Sequence, residues 1–457
     1  MISTASRVQV NVQTSAFRPI YYLGCKTSFT SAIKSAIDEV DPSHGRLVDL
    51  FAGTGAIGAA LGETREVTTV DIQEYSRVLC SAVLKPPSLS RTAIEHITVA
   101  LTRGETTKQI HWCLQPLIDH ERYCIEASVS GDPFPLIELL ESPPLAACDN
   151  TMLRTSVSQL GDAIQEVITR LQTAGLWQSA DTTVSRNFGG IYFSFQQAAM
   201  LDAALAIAES SEGHLQDTLK AVVLSTASSL VNTIGKQFAQ PIQPRNKSGA
   251  VKPSLQKAIQ RDRSLDAVDT YRAWLHKYAG LLRAVGEPQA LRDDYLHAME
   301  QNASSLSFSV VYADPPYTRD HYSRFYHVLE TMCLRDNPAI SRVMKDGSFA
   351  LSRGVYREDR HQSPFCIRSA APNAFGALFK AVREHDLPLV LSYSPHETGD
   401  GTHPRVVSME QIFDLAHAHY NRVEVCVVEG ITHNQLNRSE LKLKTREHAE
   451  ILLKCFR

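Results

Sequence analysis

The fold is indicated first by the segment LVDLFAGTG at residues 47–55. Residues 47–51 form a short apolar run, which is typical of a buried strand. Gly53 and Gly55 follow at once, and the alanine-rich stretch at residues 56–61 suits a helix. Glycines let a ligand approach the backbone closely, and a helix N-terminus presents unpaired N–H groups. The segment therefore predicts a strand, turn and helix that bind a ligand.

A second strand pattern at residues 67–70 ends at Asp71, where a carboxylate is well placed to accept hydrogen bonds from ribose hydroxyls. Residues 53–58 also match G-x-G-x-x-G, the dinucleotide-binding fingerprint. Asp49 and Phe51 precede the glycines, however, and no group of residues suited to hydride transfer accompanies them. A nicotinamide-dependent enzyme is therefore an alternative, and not the preferred interpretation.

The other informative stretch is Asp314-Pro315-Pro316-Tyr317, which follows the apolar run at residues 308–313. The two prolines restrict the backbone and contribute no N–H donor. The turn therefore presents a carboxylate and carbonyl oxygens as acceptors, with an aromatic ring beside them. Such a turn suits a planar group that carries an exocyclic amine. A purely structural turn after a strand is the alternative.

Together the two motifs resemble those of the S-adenosylmethionine-dependent DNA amino-methyltransferases, and most of all the D12 class, which resembles DNA adenine methylase. Tyr22-Leu23-Gly24-Cys25-Lys26 is similar to the N-terminal Y-x-G-x-K segment of that class. The order of this segment, the glycine turn, a long insertion and the DPPY motif also matches. The resemblance covers roughly residues 20–80 and 305–457.

The predicted fold is an α/β, Rossmann-like class I methyltransferase with a mostly parallel seven-stranded sheet and a terminal antiparallel hairpin. Strand patterns recur at residues 389–393, 423–428 and 449–453, whereas the middle of the chain has a mainly helical pattern. We expect a first methyltransferase segment at residues 1–100 and a second at residues 305–457. Residues 101–304 would form a mainly helical insertion for target recognition, since they are too long for a loop.

The resemblance implies a site-specific transfer of a methyl group from S-adenosylmethionine to N6 of an adenine flipped out of duplex DNA. The Asp314 carboxylate and the Pro315 carbonyl would accept the amine hydrogens, and Tyr317 would stack on the base. Lys26 would hold the carboxylate side of the methionine, and Asp71 the ribose. The predicted catalytic residues are Asp314, Pro315, Pro316 and Tyr317; the predicted cofactor-binding residues are Tyr22, Lys26, Asp49, Phe51, Gly53, Gly55 and Asp71.

Three alternatives share these motifs. The first is an N4-cytosine DNA methyltransferase, although Asp before Pro-Pro favours adenine. The second is an RNA or protein-amide methyltransferase, and the third is a DNA-binding protein that retains an inactive methyltransferase fold. No metal is needed for any of these reactions.

The composition fits a large enzyme of the cytoplasm. The chain has 457 residues, of which 43% are hydrophobic, and nine cysteines without a C-x-x-C pair. The sequence has no apolar run of membrane-spanning length, and its first residues are polar. We therefore expect a cytoplasmic protein that does not bind membranes. The resemblance implies that it is prokaryotic and associated with the nucleoid when it acts.

Double-stranded DNA is the expected partner, with a restriction or phage-defence protein as a possible second one. The net charge is −3, but phosphate contacts require only a local basic surface. Seven basic residues lie between Lys236 and Arg263, and a second basic segment follows the DPPY motif. His321 or Tyr322 is a further candidate for contact with the target base. The candidate DNA contacts in the two basic segments are Arg245, Lys247, Lys252, Arg353 and Arg357.

Overall fold

The computed structural model describes residues 6–9, 17–22, 26–148, 158–319, 322–345, 347–394, 406–429 and 448–457. Ten strands are present in this part of the chain. Eight of them form one sheet, and two form a separate hairpin. The strands are β1 (Ser6–Gln9), β2 (Arg46–Asp49), β3 (Val67–Asp71), β4 (Gln289–Arg292), β5 (Phe308–Ala313), β6 (Arg342–Lys345), β7 (Ser348–Leu351), β8 (Leu389–Tyr393), β9 (Arg422–Glu429) and β10 (His448–Phe456).

The large sheet has the order β1-β9-β10-β8-β5-β2-β3-β4. Strand β10 runs antiparallel to both of its neighbours, and the other pairs in this sheet are parallel. The predicted Rossmann-like sheet with a terminal antiparallel hairpin is confirmed. The N-terminal strand β1 adds an eighth strand to the seven that were expected. Its sequence, SRVQ, is mostly polar and offers no strand pattern.

The sheet places the predicted site at the point where its connections change direction. From β2 the chain proceeds to β3 and β4 on one side, whereas β5 and β8 lie on the other. Strands β2 and β5 are parallel neighbours, with Asp49 opposite Tyr312. Ligands of open α/β sheets bind at such switch points, beyond the carboxyl ends of the strands. The glycine turn after β2 and the DPPY turn after β5 therefore meet at one edge.

The helices of the described residues surround the sheet and fill the insertion. They are α1 (Thr30–Val40), α2 (Ala56–Gly62), α3 (Glu74–Leu84), α4 (Arg91–Arg103), α5 (Glu105–Val129), α6 (Phe134–Glu141), α7 (Gln159–Thr173), α8 (Thr183–Phe188), α9 (Phe195–Glu209), α10 (Gly213–Leu230), α11 (Leu255–Arg263), α12 (Ala267–Ala279), α13 (Tyr295–Asn302), α14 (Tyr322–Leu334), α15 (Ala371–Glu384) and α16 (Met409–His417).

Helices α4 to α12 lie between α3 and β4 in the chain and form a helical body that packs on α3. Helix α9 is at its centre: eleven of its fifteen residues are buried, and a capping box between Ser194 and Gln197 begins it. The Arg77 guanidinium joins α3 to α10 through two bonds of 2.9 and 2.8 Å to the Asp217 carboxylate. The insertion is thus docked on the part of the fold that carries the glycine turn.

Strand β4 and helix α13 fall within residues 101–304, the segment that we expected to form the insertion. Both pack with the main sheet: β4 pairs with β3, and α13 contacts α15 and β3. Strand β4 has the sequence QALR and none of its four residues is fully buried, so its pattern is weak. The domain boundaries remain a prediction. No described helix is long and apolar enough to span a membrane.

Candidate active site

Two glycines shape the turn between β2 and α2. Gly53 has φ +53° and Gly55 has φ +73°, in the left-handed region that glycine adopts without strain. A Cβ atom on Gly53 would lie 2.8 Å from the Tyr22 hydroxyl oxygen. On Gly55 it would lie 3.0 Å from a methyl group of Val83. Backbone conformation and close packing therefore both require glycine at these two positions.

Asp71, at the end of β3, fastens this turn. Its Oδ2 accepts a hydrogen bond of 3.0 Å from the Gly53 N–H, and its Oδ1 accepts one of 3.0 Å from the Gln73 N–H. The Ser76 hydroxyl donates to the Gly53 carbonyl at 2.6 Å. Burial raises the pKa of Asp71 above its ordinary value. The predicted ribose residue is therefore also the residue that holds the glycine turn in place, which sequence reasoning missed.

The catalytic candidate Asp314 lies two residues beyond Tyr312, the last residue of β5 that pairs with β2. Lys26 reaches Asp314 from the N-terminal segment. Lys26 Nζ lies 3.2 Å from Asp314 Oδ1 and 5.6 Å from the centre of the Tyr317 ring. The Lys26 side chain is 5% exposed and that of Asp314 is 19% exposed. Lys26 was expected at the carboxylate side of the cofactor, and the structure places its ammonium on Asp314.

Asp49 lies at the end of β2 and is fully buried. Its Oδ1 accepts a 3.4 Å hydrogen bond from the Phe51 N–H. Loss of hydration on burial raises the pKa of Asp49 to about 8, and the nearby charges of Asp314 and Asp71 act in the same direction. Three carboxyl groups thus converge from the ends of three adjacent parallel strands.

Aromatic rings form the walls of the same space. The Tyr22 ring stacks on the Tyr326 ring with centroids 4.9 Å apart. Tyr317 meets Tyr393 edge to face at 5.1 Å, and the Tyr393 hydroxyl donates to the Val407 carbonyl at 2.6 Å. Tyr393 belongs to β8, so a third strand supports the DPPY turn. Rings held in this way can bind flat apolar groups between them.

The described residues enclose one cavity at this edge of the sheet. It brings together every predicted catalytic residue and every predicted cofactor-binding residue except Gly55, which lies just behind it in the turn. The lining residues that sequence reasoning had identified are Tyr22, Lys26, Asp49, Phe51, Gly53, Asp71, Asp314, Pro315, Pro316 and Tyr317.

Comparison with known families gives a match at residues 22–109, to the family model described as D12 class N6 adenine-specific DNA methyltransferase. Over this segment the chain is similar to the D12 class of adenine-specific DNA methyltransferases. The matched segment begins at Tyr22 and contains the glycine turn and Asp71. It does not contain Asp314, which the pairing of β5 with β2 brings to the same cavity. No curated protein gives a significant match.

Two further segments of the chain reach the cavity. Asp293, Asp294 and Tyr295 follow β4, where Asp294 accepts a 2.9 Å hydrogen bond from the Leu296 N–H and begins helix α13. The other segment is residues 361–366, apart from Gln362. A pair of acidic residues after a strand was a usable signal for the first segment, but the polar sequence of β4 concealed the strand.

The candidate DNA contacts differ in their surroundings. Lys247 and Arg353 are exposed and Lys252 is half-buried. Arg245 is partly exposed and pairs with Glu141 at 2.9 Å. Contact of these four residues with DNA remains a prediction.

The structure corrects the prediction that Arg357 contacts DNA. Its side chain is 5% exposed and bridges Asp336 at 2.6 Å and Asp359 at 2.9 Å. A buried guanidinium with two carboxylate partners stabilises the loop and has no surface to offer a phosphate. We therefore remove Arg357 from the candidate DNA contacts.

The ends of the basic stretch in the insertion are also structural. Lys236 and Arg261 pair with Asp262 at 3.0 and 2.8 Å, and Arg263 is buried against Glu121. His321, Gly24 and Cys25 lie outside the described residues, so the predictions that involve them stay open.

Proposed function

We propose that the protein transfers a methyl group from S-adenosylmethionine to N6 of an adenine that has been flipped out of duplex DNA. The observation that carries this proposal is the meeting of the glycine turn and the DPPY turn in one cavity. The first turn has the form of a nucleoside-binding loop, and the second presents acceptors for an amine. A transfer between two bound groups requires this juxtaposition.

The cavity is chemically suited to the proposed cofactor. Asp49, Asp71 and Asp314 supply three carboxyl groups, while Lys26 supplies an ammonium group among them. Asp293 and Asp294 add two further carboxylates, so negative charge is in excess even when Asp49 is protonated, and this favours a ligand with positive charge. Glycine at position 53 leaves the backbone open. S-adenosylmethionine, when bound, supplies an electrophilic methyl group on a positively charged sulfur. Asp71, Asp293 and Asp294 would accept hydrogen bonds from its hydroxyl and amine groups.

The DPPY turn performs the protein's part of the reaction. The Asp314 carboxylate and the Pro315 carbonyl would each accept one hydrogen of the adenine amine. Two such acceptors favour a pyramidal nitrogen whose lone pair is directed away from the ring and towards the methyl group. Asp314 then takes the proton that the nitrogen loses once it has become cationic. Alignment and the exclusion of water provide most of the remaining acceleration.

The adenine must leave the double helix to reach this turn, because N6 lies inside the base stack of a duplex. Tyr317 lies at the cavity wall with its ring supported by Tyr393, and would stack on the extruded base. Tyr322 and Ser323 at the start of α14 line the same side of the cavity. These side chains would replace the stacking that the base loses.

The decisive experiment is expression in a host that lacks DNA methylation, followed by sequencing that reports modified bases. We expect N6-methyladenine within one defined sequence. Asp314→Asn should reduce transfer by about 10²-fold or more, by analogy with the loss of one group that stabilises a transition state. Asp269→Asn, at an exposed position of α12, is the matched control and should leave transfer unchanged.

The outcomes separate the alternatives. N4-methylcytosine in the sequencing data would assign the amine to cytosine. Folded wild-type protein that binds S-adenosylmethionine and leaves DNA unmodified would exclude DNA as its substrate.

A further inference from the structure

Three arginines lie near Tyr356, and two of them adjoin residues that line the active-site cavity. Arg324 lies on α14, directly after the cavity residue Ser323. Arg360 directly precedes the cavity residue His361, and Arg353 follows β7. The Arg360 guanidinium lies 4.8 Å from the centre of the Tyr356 ring, and the positive charges of Arg324 and Arg353 also act on the Tyr356 phenol. We call Arg324, Arg353 and Arg360 the arginine rim.

The arginine rim lacks the carboxylate partners that structural arginines have. Within the described residues, no ion pair forms at any of its three members, and Arg360 Nη1 has no hydrogen-bond partner. Burial lowers the pKa of Arg360, and the positive charge of Arg324 lowers it further. Uncompensated like charges held close together are unfavourable until an anion joins them.

The acidic residues nearby are already committed elsewhere. Asp336 and Asp359 both bind Arg357, which lies between Arg353 and Arg360 in the chain. Glu358 is exposed and lines a separate cleft with Arg342 and Phe349. The segment thus neutralises its buried arginine and leaves the rim positively charged.

Tyr356 is fixed by several contacts and links Arg360 of the rim to the helical insertion. Its hydroxyl donates to the Ala239 carbonyl at 2.6 Å, its ring meets His327 edge to face at 5.1 Å, and the Arg360 guanidinium lies 4.8 Å from the ring centre. Gly354 is required beside it, because a Cβ atom there would lie 2.4 Å from the Tyr356 ring. Groups fixed before binding lose little entropy when a ligand arrives.

We infer that the arginine rim binds the phosphodiester backbone of the target strand next to the extruded nucleotide. Guanidinium groups bind phosphate oxygens in a planar, bidentate geometry. Arg324 and Arg360 each adjoin a residue that lines the cavity, so the phosphates that flank a base bound there would lie beside them. The interior of the cavity is rich in carboxyl groups, so a phosphate would be repelled there and attracted to the rim. This inference rests on the proposed function.

The test measures DNA affinity as a function of salt concentration. Arg324→Gln, Arg353→Gln and the double variant are titrated with a labelled duplex that carries the sequence methylated by the wild-type protein. Each lost phosphate contact should reduce the slope of log affinity against log salt by about 1. The matching lysine variants should retain most of the slope. Lys380→Gln, at an exposed position of α15, is the control and should retain all of it.

A second arm locates the contact. Replacing the phosphate beside the target adenine with an uncharged methylphosphonate should weaken wild-type binding and have little further effect on the double glutamine variant. An unchanged salt slope in the double variant, or equal losses with the methylphosphonate in both proteins, would overturn the inference.

The controls distinguish this inference from the proposed function. The affinity for S-adenosylmethionine in the absence of DNA, measured by calorimetry, should be the same in the wild type and in the glutamine variants. A wild-type protein that neither binds this cofactor nor modifies DNA would refute the proposed function. A wild-type protein that methylates DNA, with variants of unchanged slope, would refute the arginine rim alone.

Discussion

Lys26 Nζ lies 3.2 Å from Asp314 Oδ1, and this ion pair joins the N-terminal segment to the DPPY turn. The two residues come from distant parts of the chain, and Lys26 is almost entirely buried. The ion pair places a positive charge among the three carboxyl groups of the cavity. It also holds the Asp314 carboxylate in a defined position before substrate arrives.

We expect Lys26→Met to impair both stability and methyl transfer. Removing one partner of a buried ion pair costs about 3–5 kcal/mol, and the partial exposure of Asp314 reduces this to about 1–3 kcal/mol here. Lys26→Arg keeps the charge and should recover part of the loss. Chemical denaturation and single-turnover transfer rates measure the two effects. If Lys26→Met has the stability and the transfer rate of the wild type, the ion pair between Lys26 and Asp314 has no role.

Gly53→Ala should weaken cofactor binding and destabilise the fold. The new methyl group would meet the Tyr22 hydroxyl at 2.8 Å, and alanine would also have to adopt a positive φ. We expect a loss of about 1–3 kcal/mol in the free energy of unfolding. Gly175→Ala is a matched control, because Gly175 has φ +70° but no atom within 4 Å of its Cβ position.

The difference between the two alanine variants isolates the contact with Tyr22 from backbone strain. Adding Tyr22→Phe to Gly53→Ala removes the nearest oxygen and should recover part of the stability. If Gly53→Ala and Gly175→Ala have the same unfolding free energy and the same cofactor affinity, the close contact has no consequence.

Asp49 should make the stability of the cofactor-free protein depend on pH. Its pKa of about 8 in the folded state lies above its ordinary value of 3.8, so the folded protein retains a proton that the unfolded chain releases. The free energy of unfolding therefore falls as pH rises from about 4 towards 8, by at most about 1.4 kcal/mol per pH unit. Asp49→Asn should remove this contribution.

The comparison is made with the wild type, because burial also raises the pKa of Asp71 and Glu330, which add a dependence of the same sign. Denaturation curves across this pH range provide the measurement. An Asp49→Asn variant with the wild-type slope would mean that Asp49 is ionised in the folded protein.

Asp71→Ala should loosen the glycine turn as well as weaken cofactor binding. Its two oxygens accept the Gly53 and Gln73 N–H groups at 3.0 Å, and each lost bond leaves a donor without its partner at a cost of about 1–3 kcal/mol. Asp71→Asn retains one acceptor oxygen and should lose less. Hydrogen exchange at the Gly53 amide reports the turn directly, and calorimetry reports the cofactor. Unchanged exchange at Gly53 would contradict the fastening role.

The features that sequence reasoning missed share a physical cause. Strand β4 contains two polar residues in four and lies at the edge of the sheet, so its pairing with β3 supplies what its own pattern lacks. Strand β1 is held in the same way by β9. Arg357 belongs to a basic run in the sequence, but only the loop conformation brings Asp336 and Asp359 to it.

Features that depend only on neighbouring residues could be predicted from the amino-acid sequence. The two glycines, the acceptor-rich DPPY turn and the buried strand patterns that precede them depend on neighbouring residues, and they were sufficient for the fold class and for nearly all of the cavity. The tertiary structure alone decided which distant groups meet. Parallel pairing of β2 with β5 places Asp49 near Asp314, the Lys26 ammonium lies 3.2 Å from the Asp314 carboxylate, and Arg360 lies over the Tyr356 ring. Distances between remote residues depend on the packing of the whole chain, and no local pattern encodes them.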